Sequence, residues 1–510
     1  MLLTHILSLI VFTPLVGAVL LLFLRGDKLV KSVSILFAAI TLVLSVVLYV
    51  SFDATQSGFQ FVEYVPWVYS LNIAYHLGID GISLLMIVLT TFLTLISLVA
   101  SWSSVNKRIK SFNFFVLLLE VGMLGVFSSL DLFLFYIFWE AMLVPMYFII
   151  GIWGHERRVY AAVKFFLYTM VGSLLMLVAI IWLGYYAGTL PGGSFTTNLV
   201  TLYGIAPTIP MEIQMWMFLA FTLSFSIKVP IFPLHTWLPD AHTEAPMAGS
   251  VLLAGVLLKM GTYGLLRFSL PLFPQSAFKF LPLMAILAVI GIIYGAFVSM
   301  VQKDLKKLVA YSSVAHLGFV VLGIFAITVE SIQGSVIQMV NHGLTTGALF
   351  LLVGMLYDRR HTRLISDFGG LARSVPVLST FFMIAMLGSV GLPGLNGFVG
   401  EFLILVGSFK SEFLGSPAYA ILATSGVILA AVYLLWMYQR VFFKTIEKPE
   451  NEKILDLNFR EMAVLAAIVV FVVWIGVHPN TFLSKSEPAV QALVNTMTKA
   501  RVGALTMIPR

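Results

Sequence analysis

The sequence predicts an all-α polytopic membrane protein of about fourteen transmembrane helices, with two inverted five-helix repeats that each contain a broken helix. Three observations carry this prediction. Of the 510 residues, 60% are hydrophobic and only 10% are charged. That leaves too little polar surface for a water-soluble fold, so the bilayer is the solvent for most of the chain. The apolar residues fall into runs long enough to cross a hydrocarbon core. Two of those runs, five apart in order, are interrupted by proline and glycine beside ionisable side chains.

The spans come first. A bilayer core needs ~20 apolar residues per helix. Runs of that kind lie at 2–24, 30–50, 78–101, 112–129, 131–151, 161–186, 212–236, 246–268, 278–300, 306–327, 332–356, 375–409, 418–440 and 461–477. The opening "MLLTHILSLIVFTPLVGAVLLLFLRG" lacks a basic segment before its apolar run and a small-residue cleavage site. It reads as a retained first helix, not a signal peptide.

Basic residues orient these spans. Successive loops fall on alternating sides, starting with the loop after the first span. One side carries 21 of the 30 Lys and Arg and the other carries 7, with Lys228 and Lys259 inside spans. Positive charge marks the cytoplasmic side, which implies an even number of spans and both termini on the outer face. The whole chain forms one membrane domain. It divides into N-terminal helices (1–111), a first repeat (112–268), an inverted second repeat (278–440), and a final part (441–510) with a cytoplasmic loop, the last helix and a tail. The longest polar break, "VFFKTIEKPENEKILDLNFR" (441–460), is too short to fold alone and reads as a cytoplasmic connector. The absence of cysteine excludes disulfides, thiolate metal sites and iron–sulfur ligation in this chain.

The interruptions follow. "FSIKVPIFPLHTWLPDAHTEAP" (225–246) places Lys228 just before Pro230 and Pro233, and "GSVGLPGLNGFVGEFLIL" (388–405) has Gly391, Pro393, Gly394, Gly397 and Gly400 in mid-span. Such breaks free backbone groups that lipid cannot satisfy, so they survive only inside protein or beside a hydrated cavity. A matched pair of broken spans is the mark of a repeat-built transporter, and an odd number of helices per unit inverts the second unit. The residues "HTWLPDAHTEAP" read as a reentrant connector on the cytoplasmic side.

Ionisable residues within spans default to functional roles because lipid makes them costly. Here they are Glu140, Lys228, Lys259, His316, His342 and Glu401, with Glu120 in the fourth span and Asp131 at its end. Asp131 follows "FSS" and reads as a helix N-cap. Glu120 reads as the partner of an arginine. His316 and His342 read either as relay stations or as core histidines bonded to carbonyls. Lys228 and Glu140 are each the evident partner of the other. Burial favours the neutral form of such groups and ion pairing favours the charged form. Making and breaking the pair would therefore switch proton holding. No spacing suits a transition metal, a phosphate loop or a nucleophile–base pair, which points to charge movement without covalent chemistry in this chain.

"FWEAMLVPMYFIIGIWG" (138–154), "IKVPIFPLHTWLPDAHTEAP" (227–246), "LLKMGTYGLLR" (257–267), "YSSVAHLGF" (311–319) and "LPGLNGFVGEF" (392–402) resemble the antiporter-like subunits of respiratory complex I. That family also contains subunits of multisubunit cation/proton antiporters. The resemblance covers essentially the whole chain. It is closest to the M-type (chain 4) members of bacterial NADH-quinone oxidoreductase, because Glu401 stands where L-type and N-type members carry lysine. The chain also stops soon after the last span, without the long lateral helix of the L-type. The resemblance implies a proton pathway through Glu140, Lys228, Lys259, His316, His342 and Glu401, with His235 as the gate at a proton entrance. It implies no cofactor in this chain. NADH, FMN, iron–sulfur clusters and quinone would belong to partner subunits, and the L-type and N-type subunits would be neighbours in the bacterial inner membrane. The alternative is a subunit of a multisubunit cation/proton antiporter, from which Glu401 in place of lysine is the distinguishing feature. A passive scaffold does not explain the row of buried charges.

Overall fold

The computed structural model describes residues 3–443 and 445–506; Lys444 and Arg510, counted above among the loop charges, lie outside them. Among the described residues, twelve helices are long and apolar enough to cross a membrane, from Leu3–Phe23 to Phe459–Val477. They correspond to twelve of the expected runs. The other two runs are the interrupted ones: 212–236 holds the helix Met211–Lys228 and is followed, past its expected end, by the short helix Trp237–Glu244, while 375–409 is the pair Pro376–Val390 with Asn396–Phe409. Each pair is the fourth member of a five-part series. The first series runs from Ile109–Ser128 to Met247–Leu272 and the second from Pro274–Met300 to Ala418–Phe443.

Packing sorts the helices by what they carry. Met247–Leu272, Leu305–Ala326 and Val329–Arg360, which hold Lys259, His316 and His342, are almost wholly buried by other helices. Asp27–Ser51 and Phe459–Val477 are mostly exposed and apolar, as lipid-facing helices must be.

At each break, protein groups take up backbone groups that the interruption frees. At the first, Pro230 and Pro233 have no N–H to continue the ladder. The indole of Trp237 donates to the Ile227 carbonyl at 2.8 Å instead, and the Ile231 N–H reaches the Ser226 carbonyl at 2.9 Å. At the second, Gly391 takes a left-handed conformation (φ 84°) that a side chain would strain. The Asn341 amide, from the central helix Val329–Arg360, donates to the Asn396 carbonyl at 2.7 Å. A polar side chain of a neighbouring helix thus does here what water does at a soluble helix end.

Four features depart from the expected outline. The expected connector "HTWLPDAHTEAP" is largely the helix Trp237–Glu244, buried on most of its surface, so its backbone bonds close locally. Residues before the third span form an antiparallel hairpin, Gln60–Val68 with Ile73–Ile79. Its Glu63 accepts from the N–H groups of Leu7 and Ser8 at 2.9 and 3.1 Å, capping the N-terminal end of the first span. The tail after the last span is a helix, Asn480–Thr506. It lies against Gly81–Ala100 so closely that a Cβ on Gly81 would be 1.7 Å from the Lys485 carbonyl oxygen. The connector at 441–460 is pinned to two helices: Arg359 of the central helix donates to the Leu455 and Asp456 carbonyls at 2.7 and 3.1 Å, and the Asp456 carboxylate accepts from the N–H groups of Val377 and Leu378 in Pro376–Val390.

Candidate functional site

The ionisable residues converge on the interior of the bundle as two separated groups. One group is built on Lys259. Its helix is interrupted by two π-turns, Leu253–Leu257 and Leu265–Ser269, which flank the lysine. Each π-turn leaves the regular ladder out of step, which re-aims side chains and frees carbonyls. The Lys259 ammonium donates to one such carbonyl, that of Ala254, and lies 2.6 Å from Nδ1 of His342. The lysine is fully buried.

His342 itself belongs to the second five-part series, and the group continues along that series. The His342 and His316 rings stand 6.0 Å apart, and Nε2 of His342 has no protein partner. His316 Nδ1 lies 2.9 Å from Oε1 of Glu401, while its Nε2 lies 3.1 Å from the Ser389 hydroxyl at the second break. Gln338 donates to the same carboxylate oxygen at 3.1 Å. The approach of the Glu401 helix depends on a glycine: a Cβ on Gly400 would stand 2.3 Å from Oε1 of Gln338. Each histidine meets an ionisable side chain, His342 at Lys259 and His316 at Glu401. Lys259, His342, His316 and Glu401 form a buried polar line.

The second group is Glu140 with Lys228. The expected contact pair is absent among the described residues: no Glu140 oxygen lies within 4.0 Å of the Lys228 ammonium. Lys228 is 1% exposed, 3.6 Å from the Met142 sulfur and 5.3 Å from the ring centroids of both Trp139 and Phe165. A thioether and two π-faces thus solvate the ammonium. Glu140 sits two residues before Met142, where the Leu132–Trp153 helix is kinked, with Ser173 and Tyr136 beside it. The two charges act on each other through space. The helices that carry Lys228 and Lys259 touch at Gly261, whose Cβ would lie 2.7 Å from Val229 Cγ2. No hydrogen bond joins the two lysines among the described residues.

The remaining expectations divide. His235 is buried at the first break among Phe232, Tyr294 and Tyr311, with no partner for Nδ1. Asp131 is an N-cap, accepting from the N–H groups of Phe133 and Leu134. Among the described residues Glu120 pairs with no arginine: it is fully buried, and neither of its oxygens has a hydrogen-bond partner. Three features escaped the sequence reading. His242 is fully buried on the Phe350 ring, with both nitrogens unpartnered; it lies seven residues, about two helical turns, after His235. Gln338 and Asn341 lie on the same face as His342, a stripe visible in "IQMVNHGLTT". The buried pair Arg267–Asp80 (2.6 Å) joins two helices distant in sequence. Among the described residues no group of three His, Cys, Asp or Glu side chains can hold a metal ion.

The family model for the membrane part of NADH:quinone oxidoreductase and Mrp antiporter subunits matches residues 129–414. The chain is 46% identical to the NADH-quinone oxidoreductase subunit M of Rhodobacter capsulatus, over 96% of each chain. It is similar to a chain of the respiratory complex I structure from Thermus thermophilus with bound NADH, at 33% identity and TM-score 0.87, over 96% of this chain and 99% of that one. A chain of the Mrp complex from Dietzia sp. shares the fold at 19% identity and TM-score 0.84, over 98% of this chain and 99% of that one.

Proposed function

The chain belongs to the NADH:quinone oxidoreductase/Mrp antiporter family of membrane subunits, and we propose that it is the M-type proton-translocating subunit of a bacterial NADH-quinone oxidoreductase. In this reading quinone reduction in other subunits drives one proton pathway through this chain. NADH, FMN, the iron–sulfur clusters and quinone belong to those partners. L-type and N-type subunits flank the chain in the cytoplasmic membrane, and both termini face outward. The two five-part series with a broken fourth member support fourteen crossings and an inverted repeat.

The observation that carries the proposal is the buried line Lys259–His342–His316–Glu401. Lys259 and His342 share a hydrogen bond, as do His316 and Glu401, so a proton can be held at either end of each. The 6.0 Å between the histidine rings suits a bridging water. Glu140 and Lys228 act on this line by charge. In a dry interior, charge interactions reach farther than in water. Neutralising Glu140 removes the charge that favours the Lys228 ammonium, so the two change protonation together. His235, at the cytoplasmic side of the first break, is the gate. Glu401 in place of lysine favours this reading over a free-standing cation/proton antiporter.

The test is Glu140→Gln and Lys228→Ala in the assembled complex, with NADH oxidation and proton uptake measured in vesicles. The expected result is a fall in the number of protons moved per NADH. Full rates of both oxidation and pumping in both variants would defeat the assignment.

A further inference from the structure

Away from the proton line, the face rich in Lys and Arg holds a cavity of about 730 Å³. Its walls come from the loop before Ile109–Ser128, the end of Leu132–Trp153, the start of Met247–Leu272 and the end of the central helix. Five cationic side chains line it, Lys107, Arg108, Arg158, Lys306 and Arg363, against one carboxylate, Asp358. Of the five, only Arg363 has an acidic partner among the described residues, Asp304 at 3.1 Å. Lys306 is the informative one. It is 4% exposed, and the one hydrogen bond its ammonium makes is to the Ala245 carbonyl at 2.5 Å. Among the described residues no carboxylate is in contact with this ammonium; Asp304, Glu244 and Asp358 act on it only from a distance, so an anion in the cavity would offset its desolvation.

The surroundings agree. Two long helices begin at the cavity, at Ile109 and Met247, and neither has a side-chain cap. Uncapped first turns present free N–H groups and the positive end of the helix dipole. His155 also lines the cavity, in the loop between two spans. Burial, then the charges of Lys306 and Arg363, push its imidazole down to about 4. Trp153, at the end of its helix, marks the level of the membrane interface.

We propose that this cavity binds a phosphate-bearing anion, either the headgroup of an anionic phospholipid or free phosphate. Arginine forks match phosphate oxygens in pairs, and lysines add point charge. The volume accommodates a headgroup as well as a single phosphate.

The experiment compares purified wild-type complex with a Lys107→Gln/Arg158→Gln double variant, whose two side chains are exposed at the rim and do not hold the fold. Lys306→Met is the second variant. One arm measures saturable binding of radiolabelled inorganic phosphate to delipidated complex. The other reconstitutes the complex with phosphatidylcholine, with or without phosphatidylglycerol, and identifies retained lipid by mass spectrometry. We expect the double variant to bind phosphate about tenfold more weakly or worse, given the strength of charge-assisted bonds. Wild-type binding is expected to weaken with added salt. Phosphatidylglycerol retained by wild type and lost by the variants identifies the ligand as a lipid headgroup. Loss of phosphate binding with unchanged lipid identifies it as a free anion. Equal phosphate binding and equal lipid retention in wild type and the double variant would overturn the proposal, whether or not Lys306→Met assembles.

Discussion

Replacing Glu401 with glutamine isolates the charge at the end of the buried line Lys259–His342–His316–Glu401. The amide is nearly isosteric, so Gln338 can still donate to its oxygen and the helix can still close on the central helix at Gly400. The substitution removes the negative partner of His316, 2.9 Å away, where both side chains are 3–4% exposed. Full uncovering of a buried charge would cost about 3–5 kcal/mol. Because the glutamine amide can keep a hydrogen bond to the imidazole, the working loss is nearer that of one charge-assisted hydrogen bond, about 1.5–3 kcal/mol. At about 1.4 kcal/mol per tenfold, a transfer step that uses this pair slows by roughly tenfold to a hundredfold. The assay is NADH-driven acidification of inverted vesicles beside the NADH oxidation rate, with assembly checked on native gels. Glu401→Ala should in addition lower assembly, because it leaves His316 and Gln338 facing a cavity. An assembled Glu401→Gln complex that pumps at the full rate and with the full proton-to-electron ratio would refute the reasoning.

Three further outcomes follow from the same geometry. Lys228→Arg should pump less than wild type but more than Lys228→Ala, because a guanidinium keeps the charge and cannot release its proton; unchanged vesicle acidification would mean that Lys228 never gives up a proton. Gly261→Ala should weaken the contact between the two lysine helices by about 1–3 kcal/mol, since its Cβ would stand 2.8 Å from the Phe225 carbonyl; the check is the temperature at which the assembled complex is lost on native gels. At the connector, a hydrogen bond from Lys448 at 2.5 Å and another from the Thr362 hydroxyl hold the Asp367 carboxyl below its usual range. A depressed carboxylate stabilises above its unfolded value, and that stabilisation is lost as the pH falls from about 4 downward. Cleavage within 445–458 by an acid-stable protease should therefore increase below that pH in wild type, and Asp367→Asn should show the higher susceptibility at neutral pH already.

Much of this protein is legible one residue at a time. Lys228, Lys259, His316, His342 and Glu401 stand out because a charge in an apolar run has few explanations. The paired breaks are visible because proline and glycine mark backbone that lipid cannot accept. Other features are written in the sequence but less loudly. The aromatic and β-branched run "QFVEYVPWV" has the composition of a strand. His242 lies inside a stretch whose prolines suggest a connector.

Contacts are a different matter. Glu140 and Lys228 look like partners because each is the other's only apparent counter-charge, yet the lysine rests on Met142, Trp139 and Phe165. A sequence counts charges and cannot measure the sulfur and ring faces that solvate one. His342 to Lys259 and His316 to Glu401 join residues 83 and 85 positions apart, and no local pattern encodes such a pairing. The sequence by itself determined the solvent of the fold, the number and order of its long apolar runs, and which side chains bear buried charge, because lipid penalises every polar atom wherever it lies. Only the tertiary structure decided which of those charges meet, since that depends on where glycines such as Gly261 and Gly400 let two backbones close to within a side chain's reach.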